Sequence, residues 1–307
     1  MTSPADVAGN YSDIWSAHQP AFRFTSAEPG SAAFFAEIEA HRYGLEPHIL
    51  EIVDFPRWRD KDVLEAGCGI GTDAIQFARS GAHYVGVDFA PDAVRWARRR
   101  FELEGRNGSF TLANILELPF EDESFDLVYS YGVIHHVADT QRAVDEFHRV
   151  LRPGGRALVM VYHRNSFNYR FTIMMLRRAL AAALVLPGAI PTISALTRED
   201  PNLLREHRRL LAEHGLRYLR DKAMFLSRNT DGPANPLSKA YTESEARELF
   251  ARFASVTARV RYLNLRIYPG GERLARTNLA RKLERRFGWH LYVEATKAEP
   301  SGSPAQA

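Results

Sequence analysis

The sequence is short of cysteine and of any recognisable targeting segment. Cys68 is the only cysteine among 307 residues, which excludes an internal disulfide framework and any zinc site that needs several cysteines. Residues 1–13 have neither a basic stretch nor an apolar core, so no secretory signal is expected there. Both observations predict a reducing, cytoplasmic setting.

Long apolar runs are also scarce. One stretch of 19 residues, 179–197, has no charge and approaches the length of a membrane span. Pro187, Gly188 and Pro191 interrupt it, and two arginines precede it. We therefore predict no transmembrane span and interpret the stretch as a buried or pocket-lining helix, with contact at a membrane surface left open.

Charge of either sign is abundant, but the positive charge is unevenly placed. The net charge is only +3, yet residues 164–228 contain 12 Lys/Arg against 5 Asp/Glu, and residues 259–286 contain 9 against 2. Such segments can face a nucleic acid, an anionic membrane or an anionic substrate. They can equally be solvated helix faces, and composition alone does not decide.

A hydrophobic fraction of 45% permits a sizeable core. From residue 61 to residue 163, apolar runs of strand length alternate with helical periods, which predicts a parallel sheet in an α/β fold with ligands at the carboxyl ends of its strands. The predicted strands are 62–66, 83–88, 109–113, 125–130 and 156–162, then 255–267 and 289–296. The predicted helices are 32–40, 47–55, 72–79, 91–104, 140–151 and 242–253, and a tight turn is expected at 152–155.

This alternation predicts five zones along the chain. They are an N-terminal helical lid (1–58), a cofactor-binding core (59–163), a helical cap inserted over the ligand edge (164–240), the remainder of the core (241–297) and a disordered tail (298–307).

The most informative segment lies between Glu65 and Asp88. A strand ends at Glu65-Ala66 and is followed by G-x-G-x-G at Gly67, Gly69 and Gly71, where the backbone can turn sharply and approach a ligand. Asp88 ends the next strand, where a carboxylate can accept both hydroxyls of an adenosine ribose. Dinucleotide folds use G-x-G-x-x-G instead, and Glu65 would repel a phosphate but suits an ammonium group. The segment therefore predicts a ligand with adenosine at one end and an amino acid at the other.

These residues resemble the first motif of the class I S-adenosylmethionine-dependent methyltransferases. Three later segments also resemble this family, in its small-molecule (type 11, quinone-methyltransferase-like) branch: residues 118–128, the V-I-H-H-V-A-D segment at 133–139 and E-F-H-R-V-L-R-P-G-G at 146–155. The resemblance implies a Rossmann-like, seven-stranded, mostly parallel sheet with helices on both faces. It also implies that the last strand runs antiparallel at the sheet edge, with the helical cap following strand five.

The resemblance implies S-adenosylmethionine as cofactor, S-adenosylhomocysteine as product, and no metal. The residues that would contact the cofactor are Glu65, Gly67, Cys68, Gly69, Gly71, Thr72, Asp88, Phe89, Asn114, Ile115, Ser130 and Tyr131. Many members of the family have Asp where this chain has Asn114, so the adenine contact would here be a neutral amide.

Methyl transfer mainly requires alignment of the nucleophile and, for some acceptors, removal of a proton. His135, His163 and Tyr11 are the candidate catalytic residues, the last together with Trp15 as an aromatic cover over the sulfonium. His136, Asn165, Asn168 and Tyr169 are candidate acceptor-binding residues. Each also has a plain structural interpretation, such as packing or helix capping.

The expected activity is methylation of oxygen or nitrogen on a partly hydrophobic, possibly anionic, small molecule. Three alternatives compete with it: an RNA or other nucleic-acid methyltransferase, which lacks its usual N/D-P-P-aromatic segment here; a non-catalytic binder of the cofactor; and a short-chain dehydrogenase, suggested by Y-x-x-x-K at Tyr218 to Lys222. The oligomeric state and the acceptor are not indicated by the sequence.

Overall fold

The structure is a computed structural model that describes residues 22, 24–265, 271–275 and 277–300. A sheet of seven strands lies at the centre of this part of the chain. Its strands are β1 Asp62–Ala66, β2 His83–Asp88, β3 Ser109–Leu112, β4 Phe125–Tyr131, β5 Leu151–Tyr162, β6 Ser255–Arg261 and β7 His290–Thr296. Tyr11 and Trp15, the aromatic cover predicted over the sulfonium, lie outside the described residues.

The sheet has the order β3-β2-β1-β4-β5-β7-β6. Strands β1 to β5 pair in parallel, and β7 runs antiparallel to both β5 and β6. The predicted fold, with a mostly parallel sheet and an antiparallel last strand, is therefore confirmed. Its placement of the last strand at the edge was wrong, because β7 inserts between β5 and β6 and leaves β6 as the edge strand.

Strand β5 begins earlier than predicted. The segment Arg152-Pro153-Gly154-Gly155, expected to be a tight turn, belongs to the strand, and the register with β4 shifts between Phe125 and Leu127. Gly154 has a φ of 74°, a left-handed value that glycine adopts without strain. The glycine-rich signal therefore marks an irregularity within a strand instead of a break before it.

Helices cover the sheet and form the cap. In chain order they are α1 Ala32–Leu45, α2 His48–Val53, α3 Ala74–Arg79, α4 Pro91–Glu104, α5 Thr140–Val150, a π-helical segment Asn168–Arg177 that runs into α6 Arg178–Ala183, α7 Ala189–Thr197, α8 Pro201–His214, α9 Leu216–Arg220, α10 Lys222–Asn229, α11 Glu243–Leu249, α12 Gly271–Ala275 and α13 Asn278–Phe287. In the described part of the chain, no helix is long and apolar enough to cross a membrane.

Both faces of the sheet are buried, because neighbouring residues of each strand point to opposite sides. Leu64 and Val128 join one buried cluster, in which Phe147 of α5 also packs. Val63 and Leu127 join the other cluster, which holds Phe77 of α3. The carboxyl edge of the parallel strands lies between these two layers.

The cap forms a core of its own against the end of the sheet. Tyr218 and Phe225 from the cap pack with Tyr162, the last residue of β5, and with Trp289, which precedes β7. The Tyr162 and Trp289 rings stack with centroids 4.2 Å apart. The packing of Tyr218 and Phe225 in the same cluster as these two rings attaches the cap to the carboxyl end of β5.

Candidate functional site

The glycine-rich loop after β1 leaves open space on one side. Gly67 has a φ of 86°, and a Cβ there would overlap the side chain of Val133. Gly69 has a φ of 51°, and no atom lies within 4 Å of the position that its Cβ would take. Gly71 packs against the backbone of Ala97 in α4. The loop is therefore closed on the side of β4 and accessible beside Gly69, where a ligand can approach the main chain.

Asp88 joins the end of β2 to this loop. Its carboxylate accepts hydrogen bonds from the backbone N–H of Gly69 at 2.9 Å and of Ala90 at 3.0 Å. Burial raises the pKa of Asp88, against the opposing effect of these backbone donors. Asp88, which the sequence predicts to bind the ribose, thus lies beside the open side of the glycine loop.

Glu65 lies beneath the loop and is buried. Its carboxyl group accepts a hydrogen bond of 2.6 Å from the hydroxyl of Tyr84. Burial, and then the negative charge of Asp73, raise the pKa of Glu65 well above its ordinary value. A cation bound nearby would oppose both effects, which is consistent with the predicted preference for an ammonium group.

The remaining predicted cofactor residues surround the same edge. Ser130 is buried and donates a hydrogen bond of 2.9 Å to the carbonyl of Ala66, which ties β4 to the start of the loop. Asn114 is exposed and uses its side-chain oxygen to accept from the N–H of Leu116. The others are buried (Cys68, Ile115) or half-buried (Thr72, Phe89, Tyr131).

Asp73 is a polar centre that the sequence prediction missed. Its buried carboxylate accepts two hydrogen bonds from Arg42, at 2.9 and 2.6 Å, one from Tyr43 at 2.8 Å and one from Tyr129 at 2.7 Å. Burial alone would raise the pKa of Asp73, but the charge of Arg42 and these donors hold it below its usual range. The pair attaches α1 to the glycine loop.

Tyr131 extends this polar network towards β7. Its hydroxyl donates to Glu46 at 2.7 Å and lies 3.1 Å from Nδ1 of His290, while the guanidinium of Arg42 lies 4.2 Å from its ring centre. His48 lies next to His290, and burial is the main reason that both histidines have a pKa of about 3. The N-terminal helices therefore contact the end of β4 directly.

His135 lies after β4, at the edge where the sequence predicts the acceptor. It is fully buried, and neither of its ring nitrogens has a hydrogen-bond partner among the described residues. Its ring packs 3.9 Å from the ring of Tyr162 and 4.2 Å from that of His136. Burial, followed by the nearby imidazoles of His136 and His290, lowers the pKa of His135 well below 6.5. Burial therefore favours the neutral ring, in which one nitrogen can donate and the other can accept a hydrogen bond.

His136 connects the core to the cap. Its Nδ1 lies 2.7 Å from the carbonyl of Leu237, which can only accept, so Nδ1 carries a proton. Its Nε2 lies 3.4 Å from the carboxylate of Asp231, which also accepts a 2.7 Å hydrogen bond from the hydroxyl of Tyr162. We call His135, His136, Tyr162 and Asp231 the acceptor-side cluster.

The predicted catalytic residue His163 and the remaining predicted acceptor-binding residues are not part of this cluster. His163 donates from Nδ1 to the carbonyl of Gly288 at 3.0 Å, and burial lowers its pKa. Asn165 accepts from Arg170 at 2.6 Å, Asn168 begins the π-helical segment, and Tyr169 packs on the cap core. All four lie where β5 enters the cap, as predicted, but their contacts described here are to the protein itself.

The dehydrogenase-like Y-x-x-x-K segment lies inside the cap. Tyr218 is fully buried and its hydroxyl lies 2.7 Å from Nδ1 of His207. Lys222 begins α10, which also belongs to the cap. The described residues also contain no group of three or more side chains that could hold a metal ion.

Comparison with known proteins gives the same assignment as this geometry. Residues 64–159 match the family described as a methyltransferase domain. The chain is 36% identical over 141 residues to a demethylmenaquinone methyltransferase of Thermus thermophilus, a match that covers 42% of this chain and 64% of that protein. It is 30% identical to norajmaline N-methyltransferase of Rauvolfia serpentina, over 45% of this chain and 50% of that one.

Residues 64–159 are therefore similar to a methyltransferase domain, and the sheet has the fold of class I, S-adenosylmethionine-dependent methyltransferases. Solved structures share its fold: a methyltransferase from Methanosarcina mazei has a TM-score of 0.53 at 20% identity, covering 81% of this chain and 97% of that chain. Magnesium protoporphyrin IX methyltransferase from Synechocystis, solved with bound S-adenosylhomocysteine, has a TM-score of 0.53 at 12% identity, covering 95% and 99%. The chain spans less than two thirds of the length of both curated relatives.

The methyltransferase domain has residues that fit its cofactor. A ligand can reach the main chain on the open side of Gly69. The carboxylate of Asp88 suits a ribose, and buried Glu65 suits an ammonium group. What the sequence missed are Arg42, Glu46, Asp231 and His290, which belong to the lid, the cap and β7. Only Asp73 had a local signal, because it directly follows the glycine motif.

Proposed function

We propose that this chain transfers a methyl group from S-adenosylmethionine to oxygen or nitrogen of a small-molecule acceptor, leaving S-adenosylhomocysteine. Bound at this edge, the cofactor supplies a methyl group on a sulfonium that is open to in-line attack. The glycine loop with Asp88 and Glu65 would hold it, with Asn114, Ile115 and Phe89 towards the adenine, and Ser130 and Tyr131 towards the amino acid. The protein then has to orient the acceptor and exclude water.

The observation that carries this proposal is the state of His135. A buried imidazole with two unpartnered nitrogens is costly unless a ligand satisfies it. His135 lies two residues beyond Val133, whose side chain closes the glycine loop. Its lowered pKa keeps the ring neutral, so it can accept a hydrogen bond from an acceptor hydroxyl or amine and take its proton as the methyl group is transferred.

The other acceptor-side residues would position this group. The hydroxyl of Tyr162 donates to Asp231, Asp231 would hold Nε2 of His136, and the ring of His136 packs on His135. His163 as an alternative base, Asn165, Asn168 and Tyr169 as acceptor contacts, and Tyr11 as a cover stay predictions. They should be tested after His135, since one ring nitrogen of His163 is already hydrogen-bonded to the carbonyl of Gly288.

A small, partly hydrophobic acceptor is favoured over a nucleic acid. The acceptor-side cluster is enclosed between the core and the cap, and His135 is fully buried, whereas a nucleic acid needs an open basic surface. The names of the relatives, a demethylmenaquinone methyltransferase and a norajmaline N-methyltransferase, support a small molecule. The arginines of the cap leave room for an anionic group on it. The proposed site of action is the cytoplasm.

Two measurements test the proposal. Calorimetric titration should show binding of S-adenosylhomocysteine and none of nicotinamide adenine dinucleotide; the reverse result would overturn the assignment. Incubation of the protein with methyl-labelled S-adenosylmethionine and a small-molecule cell extract should transfer label to an extractable product.

His135→Ala should lower that transfer by about 100-fold or more, as expected for a general base, and leave affinity for S-adenosylhomocysteine nearly unchanged. His83→Ala is the matched control, since that histidine is exposed and lies at the opposite end of the sheet. Equal transfer by the wild type and the His135 variant would remove the proposed catalytic role while leaving cofactor binding intact.

A further inference from the structure

One side of the first helical stretch of the cap is apolar and exposed. Phe171, Met175, Ala179 and Ala182 follow one another at intervals of four, four and three residues, which places them on one side of a helix. All four are exposed, and Met175 has 62% of its surface accessible. We call these four residues the apolar stripe.

The opposite side of the same stretch is already occupied. Ile173 and Ala181 are buried in the cap core, and Leu184 is buried in a second cluster with Ile193 and Leu204. The apolar stripe therefore faces away from the protein and is not needed for packing of the cap.

The stripe continues into an exposed turn. After α6 the chain turns through Val185 and Leu186, which are 63% and 58% exposed. Both lie before Pro187 and Gly188, at the tip of the connection to α7. Exposure of large apolar side chains to water at the tip of a turn is unfavourable. Such exposure indicates a ligand or a surface that covers them.

The stretch of sequence that contains the stripe carries only positive charge. From residue 164 to residue 198 there are five arginines and no aspartate or glutamate. Arg170 lies next to Phe171 and is exposed, and exposed Arg198 ends α7. Two other arginines pair with acids beyond this segment, Arg164 with Glu245 and Arg177 with Glu199. An anionic partner would complement this surface.

We propose that the apolar stripe and the Val185–Leu186 turn dock the protein on a lipid bilayer that contains anionic lipid. The helical stretch 168–183 would lie in the plane of the interface. Its apolar side chains enter the boundary between headgroups and acyl chains, and the arginines remain at the level of the lipid phosphates. Pairing with a second copy would bring exposed Arg170 and Arg198 near two more arginines of the same charge, which disfavours that occupant. The proposal does not depend on the identity of the methyl acceptor.

Co-sedimentation of the full chain with vesicles tests this proposal. The wild type should bind phosphatidylcholine vesicles that contain phosphatidylglycerol, bind pure phosphatidylcholine poorly, and be released by high salt. Met175→Glu should weaken binding by about tenfold or more, from the lost burial of one large apolar side chain and the added negative charge. Leu279→Glu is the matched control, because Leu279 is 58% exposed on the basic helix α13, outside the cap.

A second variant covers the case in which Met175→Glu fails to fold. Met175→Trp should show tryptophan quenching by brominated lipids beyond that of the wild type, whereas Leu279→Trp should not. Absence of wild-type binding to anionic vesicles, or equal loss in the Met175 and Leu279 glutamate variants, overturns the proposal. Self-association that Met175→Glu abolishes, without vesicle binding, would overturn it in favour of a second copy.

Discussion

The cofactor edge and the acceptor-side cluster are neighbours in space but are built in different ways. The cofactor edge uses residues between 65 and 90, and its geometry comes from left-handed glycines and backbone donors. The acceptor-side cluster joins His136 and Tyr162 from the core to Asp231 from the cap, and His136 also bonds the carbonyl of Leu237. The first is therefore readable as a local motif, and the second depends on how distant segments pack.

The attachments of the two covering regions differ in a similar way. The N-terminal helix α1 is held by Arg42 and Asp73, a carboxylate that is almost completely buried and receives four hydrogen bonds. Within the cap, Arg177 and Glu199 form a partly exposed pair at 2.6 Å. Burial makes the loss of one partner expensive in the first case and inexpensive in the second.

The largest expected effect follows from that difference. Arg42→Ala should lower the free energy of unfolding by about 3–5 kcal/mol, because it leaves the charge of Asp73 buried without its cation. Arg177→Ala, its control in the cap, should cost less than about 1 kcal/mol. Urea unfolding followed by tryptophan fluorescence measures both, and similar losses would mean that the Arg42 pair is no more buried than the surface one.

A glycine substitution in each region sharpens the comparison further. Gly67→Ala should weaken binding of S-adenosylhomocysteine by about 100-fold, since its Cβ would overlap Val133 at a φ of 86° and displace the loop. Gly188→Ala has a similar φ of 75° with no atom near its Cβ, so it carries backbone strain without a collision and should leave binding unchanged. Calorimetric titration gives both affinities, and equal values would remove the argument for a preformed loop.

A buried histidine of the cap gives a third prediction, in the pH dependence of stability. Burial lowers the pKa of His207 from 6.5 to about 4 in the folded protein. Below pH 6.5 the unfolded chain therefore binds the additional proton, and stability that is complete above pH 6.5 is lost as the pH falls towards 4.

Between pH 7 and pH 5 the wild type should lose about 2 kcal/mol more than His207→Gln, which keeps a polar group beside Tyr218. Exposed His83→Gln should follow the wild-type profile. Unfolding curves at the two pH values decide the matter, and parallel losses in all three proteins would show that His207 does not carry the effect.

The smallest expected effect concerns the link between cap and core. Asp231→Asn weakens the contacts to Tyr162 and His136 and should lower methyl transfer by about tenfold, while binding of S-adenosylhomocysteine stays the same. Asp92→Asn, an exposed acid paired with Arg95 at the start of α4, should change neither. An equal fall in methyl transfer and in affinity for S-adenosylhomocysteine would show that the cofactor edge and the acceptor-side cluster do not act separately.

Local patterns predicted most of the core. The limits of β1 and β2 and of α4 agree with the sequence expectation, because each has a clear apolar period and glycine, proline or aspartate at its ends. The position of β7 inside the sheet was missed, since strand order depends on non-local pairing. A proline and two glycines at residues 152–155 predict a turn, although these residues belong to β5.

The site divides along the same line. The glycine loop and Asp88 could be predicted because their function requires particular residues at short spacing. His135 was predicted from its position after β4, but its partners were not. Asp231, His290 and Glu46 come from three distant segments, and no local property of a single acid or histidine indicates which other chain segment it will contact.

The central claim is that residues 65–90 hold the cofactor independently of the cap–core contacts that position the acceptor. Titration of S-adenosylhomocysteine into the wild type, Gly67→Ala and Asp231→Asn under one set of conditions tests it most directly. We expect equal affinity for the wild type and Asp231→Asn, and about 100-fold weaker binding by Gly67→Ala. No binding to the wild type, or a loss in Asp231→Asn as large as in Gly67→Ala, would contradict the claim.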